Sequence, residues 1–389
     1  MLRRRLIIAR VSRTFLMKGL KPSVLVSVFL ALAGISATIS ISADAAAKSG
    51  FAATPTPTPS AAVKTPTPSP TPDVLNSDEV IKVEAELVNL NVRVVDRNNR
   101  TINDVPEKDF KIFEDGVPQT IDFFSRSEVP TNYALVLDNS GSMRSQLDKV
   151  IEASKILIDT NKPDDETEII RFIGRDKITI EQPFTSNKQD LGDTLDNLFI
   201  EGGQTAIIDA VYLAVENVDK YEASKKADDR KRRALILVTD GEDRDSYYNE
   251  KQLFDLLRES DVQIYIVGFL GELSKEGGFI GKSPQEKARA FLQRMADESG
   301  GKTYFPADVS ELPNIARQIS GELRTQYSIG YIPTNDRKDG TYRSIKVVVA
   351  DGPKGQKRIP VTRAGRTAEN AAGPPTLAPP VNVTKTPRN

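Results

Sequence analysis

Across 389 residues the chain carries 53 Lys or Arg against 54 Asp or Glu, and it contains no Cys, His or Trp. That composition excludes thiol nucleophiles, Cys/His zinc sites, Ser-His-Asp catalysis and disulfide staples, while the length accommodates one large domain and a smaller one. The charge is unevenly spread: residues 1–48 carry eight Lys or Arg against a single Asp, leaving 45 basic and 53 acidic residues in 49–389, a mildly acidic balance that argues against nucleic acid as a partner.

The basic residues Arg3, Arg4, Arg5, Arg10, Arg13, Lys18 and Lys21 precede an uncharged stretch from Pro22 to Ala43, followed by the small-residue sequence Ala43-Asp44-Ala45. This is the pattern of an export signal over residues 1–45, placing the mature protein in the periplasm, at the cell surface or in the medium. The stretch 22–43 is longer than the apolar region of most export signals and nearly long enough to span a bilayer, so the alternative is an uncleaved membrane anchor, the only way the chain would contact a membrane. Residues 46–77 form a linker whose Thr-Pro and Ser-Pro repeats, with seven prolines from Pro55 to Pro72, favour an extended polyproline spacer of roughly 55 Å.

Residues 78–128 read as a small β-domain. Ile81, Val83, Ala85 and Leu87 alternate with polar residues, then the parity switches to Val88, Leu90, Val92 and Val94, which predicts a bulged strand. Phe110–Phe113, the turn Glu114-Asp115-Gly116 and Gln119–Phe123 predict a hairpin.

From 131 to 325 apolar runs alternate with helical periodicity. Strands are expected at 134–137, 168–174, 177–181, 234–239, 263–269 and 302–305, and helices near 143–160, 187–199, 206–219, 250–259, 285–298 and 310–325. Such alternation predicts an α/β fold, a doubly wound and mostly parallel sheet with helices on both faces, in which 177–181 is an antiparallel edge. The cluster Lys225–Arg233 mixes both signs ahead of a buried strand and reads as a solvated loop. Gly281-Lys282-Ser283 lacks the upstream Gly of a phosphate loop, since that position is Glu276. Residues 326–333 and 343–349 read as two further strands, and 358–361 as a third. From Gly365 onward the Pro/Ala/Thr-rich sequence reads as a disordered tail.

Three segments place oxygen donors at strand ends and helix starts. Ala134-Leu-Val-Leu-Asp138-Asn-Ser140-Gly-Ser142 runs a buried strand into a carboxylate and two hydroxyls. Glu201-Gly-Gly-Gln-Thr205 puts a hydroxyl before a second helix, and Ala234-Leu-Ile-Leu-Val-Thr239-Asp240-Gly241 ends a second strand in a carboxylate. The carboxyl edge of an open α/β sheet is where ligands bind. Carboxylates with hydroxyls suit a hard cation, Mg²⁺ first, with Mn²⁺ or Ca²⁺ as alternatives. The Asp-x-Ser-x-Ser motif alone also fits a helix N-cap.

Taken together, the segments resemble the metal-ion-dependent adhesion site (MIDAS) of von Willebrand factor type A (VWA) domains. Asp109-Phe110 and Glu114-Asp115-Gly116 resemble the β-domain signature of a bacterial exported VWFA-related family. The resemblance implies a Rossmann-like VWA sheet over 131–325 and a small β-sandwich-like domain built from the flanking segments, with 326–364 pairing against 78–128. It also implies that Ser140, Ser142 and Thr205 offer hydroxyl oxygens, that Asp138 and Asp240 ligate directly or through water, and that a partner protein supplies a carboxylate to the metal. Gln204 departs from the Gly-Gly-Thr of many members. Nothing in the chain resembles a nucleophile elbow or an Asp-x-Asp phosphatase motif, so a non-enzymatic binding module is expected. The alternative is an envelope scaffold in which the metal is structural or dispensable and the β-domain or the Asp243/Asp245 loop makes the contact.

Overall fold

The computed structural model describes residues 87–369, other than 127, 226–230, 272 and 276–281, together with 384–385. The expected export signal, the proline-rich linker, residues 81–86 of the bulged strand and most of the tail lie outside the described residues. No helix among the described residues is long and apolar enough to cross a membrane.

Period-two patterning decides the first strands. In β1 (Val88–Val95) the alternating residues Val88, Leu90, Val92 and Val94 are buried. β2 (Phe110–Glu114) and β3 (Val117–Gln119) form a tight hairpin. Its two central residues, Asp115 and Gly116, both have positive φ, at 48° and 80°, the backbone that a two-residue hairpin turn requires. The second arm is shorter than the sequence suggests. It ends at Gln119, and β4 (Phe123–Ser125) leaves for a different sheet.

The α/β body follows in chain order: β5 (Thr131–Asp138), α1 (Leu147–Asp159), β6 (Glu166–Phe172), β7 (Ile178–Thr185), α2 (Lys188–Asp196), α3 (Ile207–Ala223), β8 (Arg232–Thr239), α4 (Glu250–Glu259), β9 (Gln263–Gly268), α5 (Pro284–Ser299), β10 (Lys302–Tyr304) and α6 (Leu312–Arg324). The strands lie in the order β10-β9-β8-β5-β6-β7. All neighbours are parallel except β7, which runs antiparallel to β6. Because side chains alternate along a strand, β5 feeds two cores. Ala134 and Val136 pack with α3, α4 and α5 on one face, and Tyr133, Leu135 and Leu137 pack with α1, α2 and α6 on the other. This is the doubly wound sheet expected from the alternating pattern.

The chain then returns to the β-region. β11 (Tyr327–Tyr331) pairs with β1 and β4, β12 (Tyr342–Val349) with β2, and β13 (Ile359–Val361) with β1. Two four-stranded antiparallel sheets result, β13-β1-β11-β4 and β14-β12-β2-β3, where β14 is Gly365–Thr367. They enclose a core of Leu90, Val92, Phe110, Ile112, Tyr327, Ile329 and Val347. β14 corrects the reading of a disordered tail from Gly365. The buried Glu114 Oε2 accepts from Tyr331 Oη at 2.6 Å and from Arg366 Nε at 3.1 Å, so an ion pair inside the sandwich holds that strand against β12. A two-residue strand, Thr384–Lys385, also lies parallel to β7, so β7 is not the outermost strand.

A second correction concerns the basic cluster. Lys231 pairs with Glu166, and Arg233 pairs with Asp219 and Asp261. Arg232 is buried, donating to Asn91 Oδ1 at 3.1 Å, to Ser328 Oγ at 3.2 Å and to the Leu323 carbonyl. These three bases stitch the sheet to its surroundings rather than facing water.

Candidate metal centre

The turn after β5 carries the first three donors. Asp138 ends the strand with 2% of its surface exposed, and its Oδ1 accepts the Ser140 amide at 2.9 Å. A single 3₁₀ turn, Gly141–Ser145, comes before α1, and Ser140 at its start makes no side-chain cap bond. The hydroxyls are therefore not spent on capping the helix. Instead Ser140 Oγ and Ser142 Oγ lie 3.0 Å apart, and the Ser142 hydroxyl is near enough to Asp240, the residue that follows β8, to hold its carboxyl down. Asp138, Ser140, Ser142 and Asp240 are thus brought together at the carboxyl edge of neighbouring strands.

Thr205 reaches the same edge by a different route. Its side chain is buried just ahead of α3, and its carbonyl accepts the amides of Arg244 at 2.8 Å and Asp245 at 3.1 Å. The Asn139 carbonyl accepts the Glu201 amide at 3.0 Å, and Asn139 Nδ2 donates to the Phe199 carbonyl at 2.9 Å. Three loops, after β5, before α3 and after β8, are sewn into one surface. Gly203 is needed there because a Cβ would run into the Ile173 side chain. Gln204 sits exposed beside it, and Thr205 keeps its place at the helix start.

The electrostatics favour a cation. Burial, and then the neighbouring Asp240 carboxylate, push the Asp138 carboxyl up to about 6, against the pull of its bonds from Ser140 and Thr239. Burial also raises Asp240, with the Ser142 hydroxyl and Arg244 pulling it back. Among the described residues neither carboxylate is in an ion pair. Two crowded carboxylates with hydroxyl oxygens between them fit a hard cation by the chemistry of the donor set. Among the described residues, no group of three or more His, Cys, Asp or Glu side chains is placed to hold a metal. A centre built from these residues has hydroxyls for three of its five donors.

Sequence reasoning missed the residues that fix these donors. Thr239 Oγ1 donates to Asp138 Oδ2 at 2.8 Å and accepts the Gly241 amide at 3.2 Å. The register supplies the signal: Leu137 lies opposite Val238, so the next residues, Asp138 and Thr239, meet at the sheet edge. Asp209 is wholly buried and accepts the amides of Tyr247 and Tyr248 at 2.8 and 2.9 Å. Asp243 Oδ1 accepts the Ile208 amide at 3.0 Å and the Ser246 hydroxyl at 2.6 Å, while Asp245 pairs with Arg175 at 3.0 Å. The acidic loop after Asp240 is engaged with the start of α3 and with Arg175. Ser283 caps α5 through a reciprocal bond pair with Glu286.

Thr239→Val should weaken Mg²⁺ binding about tenfold, because it frees one carboxylate oxygen to turn away. It should also cost about 1–2 kcal/mol of stability, since Asp138 and the Gly241 amide each lose a partner. Calorimetric titration and urea melts read the two effects separately.

Comparison with known proteins supports the α/β body through its family model. The family model of the von Willebrand factor type A domain matches residues 132–318. The uncharacterized protein sll0103 of Synechocystis sp. is 39% identical over 115 residues, covering 29% of this chain and 26% of that one. Inter-alpha-trypsin inhibitor heavy chain H4 of Bos taurus is 25% identical over 236 residues, covering 57% of this chain and 24% of that one. The chain spans about a quarter of the length of these curated relatives. A solved von Willebrand factor type A protein of Catenulispora acidiphila aligns over 73% of this chain and 75% of its own at 12% identity, with a TM-score of 0.41.

Proposed function

Residues 132–318 are a VWA domain, a protein-interaction module, and on that premise we propose that the chain is an exported binding module whose metal centre engages an acidic residue of a partner protein. The observation that carries this reading is the meeting of Asp138, Ser140, Ser142 and Asp240 at one sheet edge, with Asp138, Ser140 and Ser142 joined by hydrogen bonds and Asp240 beside Ser142. Thr205 completes the donor set from the loop tied to that edge. A Mg²⁺ held there would supply a coordination position open to the partner's carboxylate.

The protein's own residues do the rest. Thr239 and the Ser140 amide orient the two oxygens of Asp138, and Ser142 holds Asp240 close by. The pairing of these groups leaves a charge of about minus two facing a divalent ion, so an incoming carboxylate meets a site near neutrality. Export is supported by the basic and then uncharged N-terminus, and the reading is of a non-enzymatic module.

Crosslinking and affinity capture of the exported protein, in Mg²⁺ and in chelator, test the reading. Partner recovery should require Mg²⁺ and should fall at least tenfold for Ser140→Ala, whose fold stays intact because a single hydroxyl is lost without opening a large cavity. Equal recovery in chelator would transfer the contact to a metal-independent scaffold.

A further inference from the structure

The VWA sheet does not stop at β7. β15 (Thr384–Lys385) lies parallel to it, with Thr384 opposite Thr179 and Lys385 opposite Ile180. We propose that the outer edge of β7 is a strand-docking site whose ligand is the chain's own C-terminal run Val381–Thr386, seated in cis on the same sheet edge as the metal donors.

The run has the composition of a strand. Val381, Val383, Thr384 and Thr386 are β-branched, and Pro380 and Pro387 bound it on both sides. From Asn370 onward it is the longest stretch without Pro or Gly.

The edge, for its part, needs a cover. The neighbours of β7 are β6 and β15. Without β15, the outward backbone groups between Ile178 and Gln182 would form a template for any extended chain, which natural edges resist with charge or proline. The one charge in that stretch, Glu181, is drawn to Arg171 Nε at 2.7 Å, and proline comes only at Pro183. Continuing the register sets Val383 opposite Ile178, where β7 begins, and Pro387 opposite Gln182, one residue before Pro183. Both partners lose their ladder donors at the same point, so the run matches the edge in length as well as in propensity.

Topology places this contact near the metal centre. Ile178 lies opposite Phe172, and Phe172 opposite Asp138, so β7 starts at the carboxyl edge and runs away from it. β15 runs the same way, and the tail therefore enters at the edge that carries the donors. Thr384 continues the row Leu137, Arg171, Thr179, three strand spacings or about 14 Å from β5. Residues 370–383 tether the run to β14, and a tether this short gives about millimolar effective concentration. The chain's own tail thus outcompetes the tail of a second copy. A partner that adds a strand beside the metal centre has to displace it.

The chain has no Cys, so disulfide trapping in the full chain tests the seat. Thr179→Cys with Thr384→Cys puts two thiols on directly paired residues, within disulfide reach. Mild oxidation should close a bond within one molecule about tenfold faster than in Thr179→Cys with Thr376→Cys, whose second thiol lies outside the run. Equal rates would show a tail with no fixed seat, and covalent dimers would show an edge that takes another molecule's tail. Either result overturns the proposal. Amide exchange gives a second measurement without added thiols. Thr384→Pro with Lys385→Pro removes both backbone donors of β15, and the outward amides of 178–181 should exchange about tenfold faster while the helices keep their protection. Unchanged exchange at 178–181 would overturn the proposal as well.

Discussion

Asp138→Asn should make the metal-free protein more stable and remove its response to Mg²⁺. Asp138 is buried beside Asp240, and its carboxyl is raised to about 6 in the folded protein. An unfolded aspartate titrates near 3.9. A raised folded pKa means that this group's contribution is fully present below pH ~4, is lost as the pH rises through about 6, and stays lost above it. A shift of this size corresponds to roughly 3 kcal/mol at neutral pH. Asparagine keeps an oxygen for the Ser140 amide and carries no charge, so in chelator the variant should gain up to that amount at pH 7.5 and almost nothing at pH 4. Wild type should recover the loss on adding Mg²⁺, through mass action on the folded state, and the variant should not respond. Urea melts at both pH values, with and without Mg²⁺, measure all four quantities. A stability difference that does not change with pH would contradict the assignment.

The second large effect is expected far from the donors, where the VWA sheet meets the β-sandwich. Glu322 on α6 is buried and holds Arg93 of β1, Lys302 Nζ at 2.6 Å and Tyr304 Oη at 3.2 Å. Arg93 is only 3% exposed. Glu322→Ala leaves that guanidinium in a low-dielectric site without its carboxylate, and should cost about 3–5 kcal/mol. The urea midpoint should drop at constant slope. Replacing both partners, Arg93→Met with Glu322→Leu, removes the guanidinium along with its counter-charge and should restore part of the loss, since Lys302 and Tyr304 still lose their carboxylate partner. A single variant no worse than the double would show that the pair is not what holds α6 to β1.

The two regions differ in how legible they were. The doubly wound sheet was readable because each buried strand is an unbroken apolar run and each helix repeats its apolar face, and both signals are local. Asp138 and Asp240 were readable as neighbours because each directly follows such a run, and parallel strand ends converge on one edge. Thr239 was not, since its role depends on the register that sets it opposite Asp138. Arg232 was misread because a mixed-charge run says nothing about where the buried strand begins, and the strand begins two residues earlier than its apolar stretch. β14 was misread for a related reason. Its composition is that of a tail, and the force that orders it is an ion pair between Arg366 and Glu114, 252 residues apart. Contacts at that separation leave no periodicity in either segment.

Calorimetric titration of the full chain with Mg²⁺ reads whether the five oxygen donors on three loops form one divalent-cation site. Wild type should show one saturable site, lost in Asp138→Asn and weakened in Ser140→Ala and Thr205→Val. No saturable heat in wild type, or equal binding by Asp138→Asn, would contradict it.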